Sequence, residues 1–161
     1  MATETTRPDE TTSHATALTK RILIVNNDPE IIRMLTECLR AFQHGHAYEI
    51  ASAHNVRDAL AILLRAGFGF DLILLEVHIS WMGEPRDWPG HGLDLLKEIR
   101  KRGVDVPVIM TCPPLEKKGM DEAQSAGAFA WLSGELGELE RLVTLALSGP
   151  AQGSSKTTPP A

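Results

Sequence analysis

The sequence predicts an α/β fold, a (βα)5 three-layer sandwich built on a parallel sheet of strand order 2-1-3-4-5. Short continuous apolar runs recur along the chain, as strands buried on both faces of a parallel sheet require. Each run is followed by a stretch whose apolar residues return at helical spacing. Strict alternation of the two demands right-handed crossovers, which lay helices on both faces of one sheet.

Residues 1–19 (MATETTRPDETTSHATALT) carry almost no large apolar side chain, and residues 149–161 (GPAQGSSKTTPPA) are dominated by Gly, Ser, Thr and Pro. Neither end buries enough to offset the entropy of ordering, so both are expected to be flexible tails around a domain of residues 20–148. Within it, Arg21–Val25 is the first strand. Asp28 then offers a helix N-cap with Pro29 at the first helical position, followed by Ile31, Leu35, Cys38, Leu39 and Phe42 on one face. Tyr48–Ala51 is a short second strand, and Asn55 caps a helix with the stripe Val56, Ala59, Leu60, Leu63 and Leu64. The third strand, Asp71–Leu75, ends at Glu76. A polar loop leads to a helix from His91 to Lys101 with Leu93, Leu96 and Ile99 inward. Val106–Met110 is the fourth strand, with a proline near its start where the ladder tolerates one. A short helix over Met120–Ala126 precedes the fifth strand, Gly127–Leu132, and Leu136, Leu139, Leu142, Val143, Ala146 and Leu147 stripe the last helix.

Composition narrows the function. A chain of 161 residues with 43% hydrophobic and 23% charged side chains has room for one ordinary globular domain. A net charge of −5 without a basic block disfavours a phosphate backbone, so no nucleic-acid partner is expected. Cys38 and Cys112 show no CxxC or Cys/His ligand spacing, and His44 and His46 form an HxH with no third ligand. Free thiols and solvated histidines are therefore expected, with no metal site. No stretch approaches the roughly 18 to 20 apolar residues that span a bilayer, and no secretory apolar region opens the chain, so a cytoplasmic protein without a membrane partner is expected.

In a sheet of this order the crevice lies at the carboxyl ends of strands one and three, which places residues 26–28 and 76 onward along it. The segments Arg21–Glu30, Asp71–Glu76, Gly92–Arg100, Pro107–Met110 and Gly127–Leu132, in that order and spacing, resemble the receiver domains of two-component response regulators over Lys20–Leu147. The resemblance implies a CheY-like, flavodoxin-like fold. It also implies an acidic pair that helps hold Mg2+, a phosphoacceptor aspartate, a hydroxyl ending strand four, an aromatic switch residue on strand five, and a lysine-proline beyond it.

At those positions this sequence departs from the pattern. The acidic pair reads Asn26 and Asn27, with Asp28 the one acid left in the turn and an N-cap in its own right. The phosphoacceptor position is Glu76, the hydroxyl position is Cys112 or Thr111, the aromatic position is Trp131, and lysine-proline reads Gly134-Glu135. Phosphoryl transfer to a carboxylate rests on positioning and charge neutralisation, and Mg2+ wants carboxylate oxygens. One carboxylate in place of three predicts weak or absent Mg2+ binding. Glutamate also carries its oxygen about 1.5 Å beyond an aspartate's, and a displacement of about 1 Å can cost on the order of 100-fold in rate. The expectation is a pseudo-receiver without enzymatic activity or cofactor, in which the amides of Asn26 and Asn27 donate to Glu76. The alternative is a working response regulator phosphorylated at Glu76 or a neighbour. A cobalamin-type ligand is disfavoured, because after Glu76-Val77-His78 that motif needs glycine where Trp81 stands.

The loop His78–Gly90 (HISWMGEPRDWPG) is about eight residues longer than the family's usual loop and carries Trp81 and Trp88. Exposed aromatics there suit a partner surface, and Trp131 fits either core or contact. The expected partners are signalling proteins or a second copy, docking on this loop or on the face of helix four, strand five and helix five.

Overall fold

The computed structural model describes residues 18–43, 45–82, 91–111 and 117–149. In chain order its elements are β1 (Thr19–Val25), α1 (Pro29–Ala41), β2 (Ala47–Ala53), α2 (Val56–Arg65), β3 (Leu72–Glu76), α3 (Gly92–Lys101), β4 (Val108–Thr111), α4 (Lys117–Ser125), β5 (Ala130–Leu132) and α5 (Leu136–Ser148). All five strands are parallel, in the order β2-β1-β3-β4-β5 that the alternation predicts.

Side chains of successive strand residues point to opposite faces, and the two cores follow that rule. Leu23, Val25, Ile73, Leu75, Val108 and Met110 face α2, α3 and α4, packing with Val56, Leu63, Leu95, Leu96 and Ile99. Ile22, Ile24, Leu72, Leu74, Ile109 and Leu132 face α1 and α5, packing with Leu35, Leu39, Leu139, Leu142 and Val143. Each fully buried aliphatic contributes about 1.5–3 kcal/mol, so the sheet is held from both sides.

Several boundaries differ from the sequence expectation. β1 begins at Thr19, inside the expected tail, because Thr19 pairs with Ala47 and so also lengthens β2. β4 begins at Val108, since the ladder to β3 opens with Ile73 opposite Val108. α4 starts at Lys117, before Met120. β5 is only Ala130–Leu132, because residues 126–128 are spent closing α4: the Ala126 and Ala128 amides donate to the carbonyls of Glu122 and Ala123. Two leucines assigned to buried stripes, Leu64 and Leu136, are 52% and 44% exposed. Both lie on helix faces that no element among the described residues covers.

The N-caps are as expected. Asp28 accepts from the Glu30 amide at 2.9 Å, and Asn55 accepts from the Asp58 amide at 2.8 Å, each satisfying a donor the helix cannot. No helix among the described residues is long and apolar enough to cross a membrane.

Candidate functional site

The crevice at the carboxyl edge is built by the ends of β1, β3 and β4. Chain pairing puts Glu76 directly opposite Thr111, and the Val77 amide donates to the Thr111 carbonyl at 3.1 Å. Asn26, one residue beyond β1, is 3% exposed and its amide donates to the Ala53 carbonyl at 3.0 Å. These ladder bonds hold three side chains at one point.

Glu76 is half-buried at that point. Its Oε2 accepts from Asn26 Nδ2 at 3.3 Å and from Thr111 Oγ1 at 3.3 Å, and its Oε1 accepts from the His78 amide at 3.1 Å. Both oxygens are satisfied by neutral donors, and among the described residues no lysine or arginine forms an ion pair with them. Burial raises the Glu76 carboxyl above its ordinary range. The His78 and Val77 amides, the His78 charge and the Thr111 hydroxyl each pull it back by less.

Asn26 has both ends of its carboxamide committed. Its Oδ1 accepts from the Asp28 amide at 2.8 Å, which forms an Asx turn and fixes which end of the amide faces Glu76. The expectation that both asparagines donate is met by Asn26 alone, and Asn27 makes no such bond to Glu76. Asp28 spends its carboxylate on the N-cap of α1.

Of the two candidates for the hydroxyl position, Thr111 ends β4 in register with Glu76 and hydrogen-bonds it, and Cys112 lies outside the described residues. So do Trp88 and most of the loop that carries it. Trp81 is 41% exposed and meets the His91 ring edge-on at 6.1 Å, beside Met82 at 58%. Its backbone carbonyl and that of Ser80 accept from the Arg57 and Val56 amides at 3.1 and 3.0 Å, so this loop satisfies the first turn of α2. Trp131 packs against the core under α3, with its Nε1 buried and without a partner among the described residues. Gly134 has φ +107°, a conformation that favours glycine, and no atom stands near the place of a Cβ. Among the described residues no group of three or more His, Cys, Asp or Glu is placed to hold a metal ion.

Gly92 was not singled out from sequence, yet it shapes the site. A Cβ there would lie 2.2 Å from the Glu76 carbonyl oxygen and 2.8 Å from Val77 Cα. The absence of a side chain lets α3 start directly on the strand end, with the Gly92 amide donating to the Val77 carbonyl at 3.1 Å.

A family model for the response regulator receiver domain matches residues 22–145. The response regulator protein PilR of Pseudomonas aeruginosa is 32% identical over 130 residues, covering 80% of this chain and 26% of PilR. The two-component response regulator ARR2 of Arabidopsis thaliana is 28% identical over 116 residues, covering 70% of this chain and 15% of ARR2. The chain therefore spans about a quarter or less of the curated relatives it matches. Among solved structures, chemotaxis protein CheY4 of Vibrio cholerae superposes with a TM-score of 0.64 at 22% identity, over 80% of this chain and 99% of that one. A CheY-like receiver domain protein from Methanospirillum hungatei does so with a TM-score of 0.64 at 23% identity, over 80% and 94%. At such identities these two matches speak for the fold.

Proposed function

The chain belongs to the response regulator receiver family, and within it we propose a degenerate receiver that works by protein contact without taking up a phosphoryl group. The observation that carries this reading is the hydrogen-bonding of Glu76. Both its oxygens are already engaged by neutral donors, the Asn26 amide and the Thr111 hydroxyl on one and the His78 backbone on the other, which an incoming phosphorus would have to displace or share.

The donor set also disfavours Mg2+, which the family implies for this crevice. A hard cation needs several oxygen ligands. Asn26 turns its N–H2 toward Glu76 and keeps its oxygen for the Asp28 amide, while Asp28 caps α1. Glu76 is left as one carboxylate among amides and hydroxyls, and the residues do not fit the ion. Gly134, in the family's lysine position, supplies no cation to draw a phosphoryl oxygen.

A second reading keeps phosphorylation at Glu76. It is favoured by Thr111, whose hydroxyl touches Glu76 as the family's hydroxyl would touch a phosphorylated acceptor. In that reading a carboxylate oxygen attacks the phosphorus of an acyl phosphate and the carboxylate of the donor leaves. The two separate on one experiment: intact-mass measurement of the full chain after incubation with acetyl phosphate and Mg2+. An unchanged mass is expected, and an added phosphoryl mass overturns the proposal in favour of the second reading.

The contact surface follows from exposure. Trp81 and Met82 stand out beside the crevice, and Phe129, Leu136 and Leu145 are exposed near β5 and along α5. Trp131 serves this face as support, its ring packed inward. The partner class is a signalling protein or a second copy of the chain.

A further inference from the structure

The two edges of the sheet are kept differently. β5 is three residues long, and so short an edge offers another strand little to pair with. β2, at the opposite edge, runs seven residues in unbroken register with β1, so no bulge bends it away. It contains no proline and no lysine, the residues that commonly guard an open edge. Its one charged residue, Glu49, is met by Arg21 of β1 at 3.4 Å.

One bond fixes the direction of its backbone groups. The Ala53 carbonyl accepts from the Asn26 amide just beyond β1, so Ala53 faces β1, and by alternation along the strand so do Ala51, Glu49 and Ala47. Tyr48, Ile50 and Ser52 therefore turn their N–H and C=O groups outward, where they bond no backbone group among the described residues. Ser52 is exposed, and Tyr48 and Ile50 are half-buried.

We propose that β2 pairs antiparallel with β2 of a second copy of this chain, about a twofold axis at Ile50, so that one sheet runs through both copies. The strand's own sequence selects this register. An outward residue must meet an outward residue to exchange hydrogen bonds. Centring on Ile50 sets Tyr48 across from Ser52 of the copy and Ile50 across from itself, which engages every outward group. Glu49 then lies across from Ala51, and Ala47 from Ala53, so no like charges are opposed. Sliding the pair by two residues one way sets Glu49 on Glu49. Sliding it the other way carries Tyr48 past the end of the strand.

This surface is distinct from the crevice, and its test is separate from the phosphorylation assay: sedimentation reads β2, and mass reads Glu76. In sedimentation velocity the full chain is expected to show a concentration-dependent dimer. Ser52→Pro removes an outward N–H and no bond to β1, so it should raise the dissociation constant on the order of tenfold with the urea midpoint near the parent's. Ser52→Lys keeps the N–H, adds an edge guard, and should weaken the dimer in the same direction. In a Cys38→Ser, Cys112→Ser background, a mixture of Glu49→Cys and Ala51→Cys chains should oxidise to a mixed disulfide, because the two positions face each other with Cα atoms about 4.5 Å apart. Glu49→Cys alone should link more slowly. A monomer at every concentration overturns the proposal. So do a dimer that both Ser52 variants leave intact and a Glu49→Cys chain that links to itself as readily as the mixture does.

Discussion

Two carboxylates stand at the two ends of β3 and are treated in opposite ways. Asp71, just before the strand, has one cation among its partners: its Oδ2 accepts from the Arg21 backbone amide at 2.8 Å and Lys20 Nζ lies 3.7 Å from its Oδ1. The Arg21 guanidinium beside it bonds the Gly69 carbonyl at 3.1 Å, reaches Glu49 at 3.4 Å and lies 4.8 Å above the Phe70 ring. Glu76, at the other end, accepts hydrogen bonds from amides and a hydroxyl, and no lysine or arginine among the described residues forms an ion pair with it. The two ends of β3 thus differ in the partners their carboxylates meet, a backbone amide and a lysine at one, backbone and side-chain N–H groups and a hydroxyl at the other.

The comparison can be broken from the crevice side by filling the space that lets α3 sit on β3. Gly92→Ala places a methyl 2.2 Å from the Glu76 carbonyl oxygen, against backbone that cannot turn away. We expect a loss of about 3 kcal/mol, read as a lower midpoint in urea at unchanged slope. A stability within error of the parent would show that α3 is not held tightly to the strand end. At the opposite end, Asp71→Ala removes the acceptor of the Arg21 amide and the partner of Lys20. A loss of about 1–2 kcal/mol is expected, and little of it should depend on salt, because the backbone hydrogen bond outweighs the exposed ion pair.

Much of this was legible in the sequence, for reasons that also explain what was not. The runs at 21–25 and 71–75 are buried on both faces, so their apolar character is continuous and their place in the sheet unambiguous. Leu64 and Leu136 misled because periodicity marks apolar residues without saying what covers them, and among the described residues no element covers these two. The hydroxyl position is ambiguous by one residue between Thr111 and Cys112, and only strand pairing, which the sequence does not print, sets Thr111 opposite Glu76. Asn26 and Asn27 looked equivalent on paper, but the turn commits one side chain to both Asp28 and Glu76. Gly92 left no signal, because a missing side chain gains its meaning from the strand end pressed against it.

The smallest effect sharpens the comparison most. Because burial raises the Glu76 carboxyl above its ordinary range, the folded state holds its proton more tightly than the unfolded chain does. The stability it contributes is therefore fully present below the ordinary carboxylate range, near pH 4.3, and is lost as pH rises through the raised value. Glu76→Gln removes that dependence while keeping an acceptor for part of the donor set. The stability of the variant minus that of the parent should rise from acid to neutral pH in paired urea titrations across that range. Asp71→Asn, measured beside it, reads the other end of the strand by the same titration. A flat difference for Glu76→Gln would mean the dipoles fully offset the burial of the charge, and the two ends of β3 would then differ in the identity of their partners and not in the electrostatic cost they leave behind.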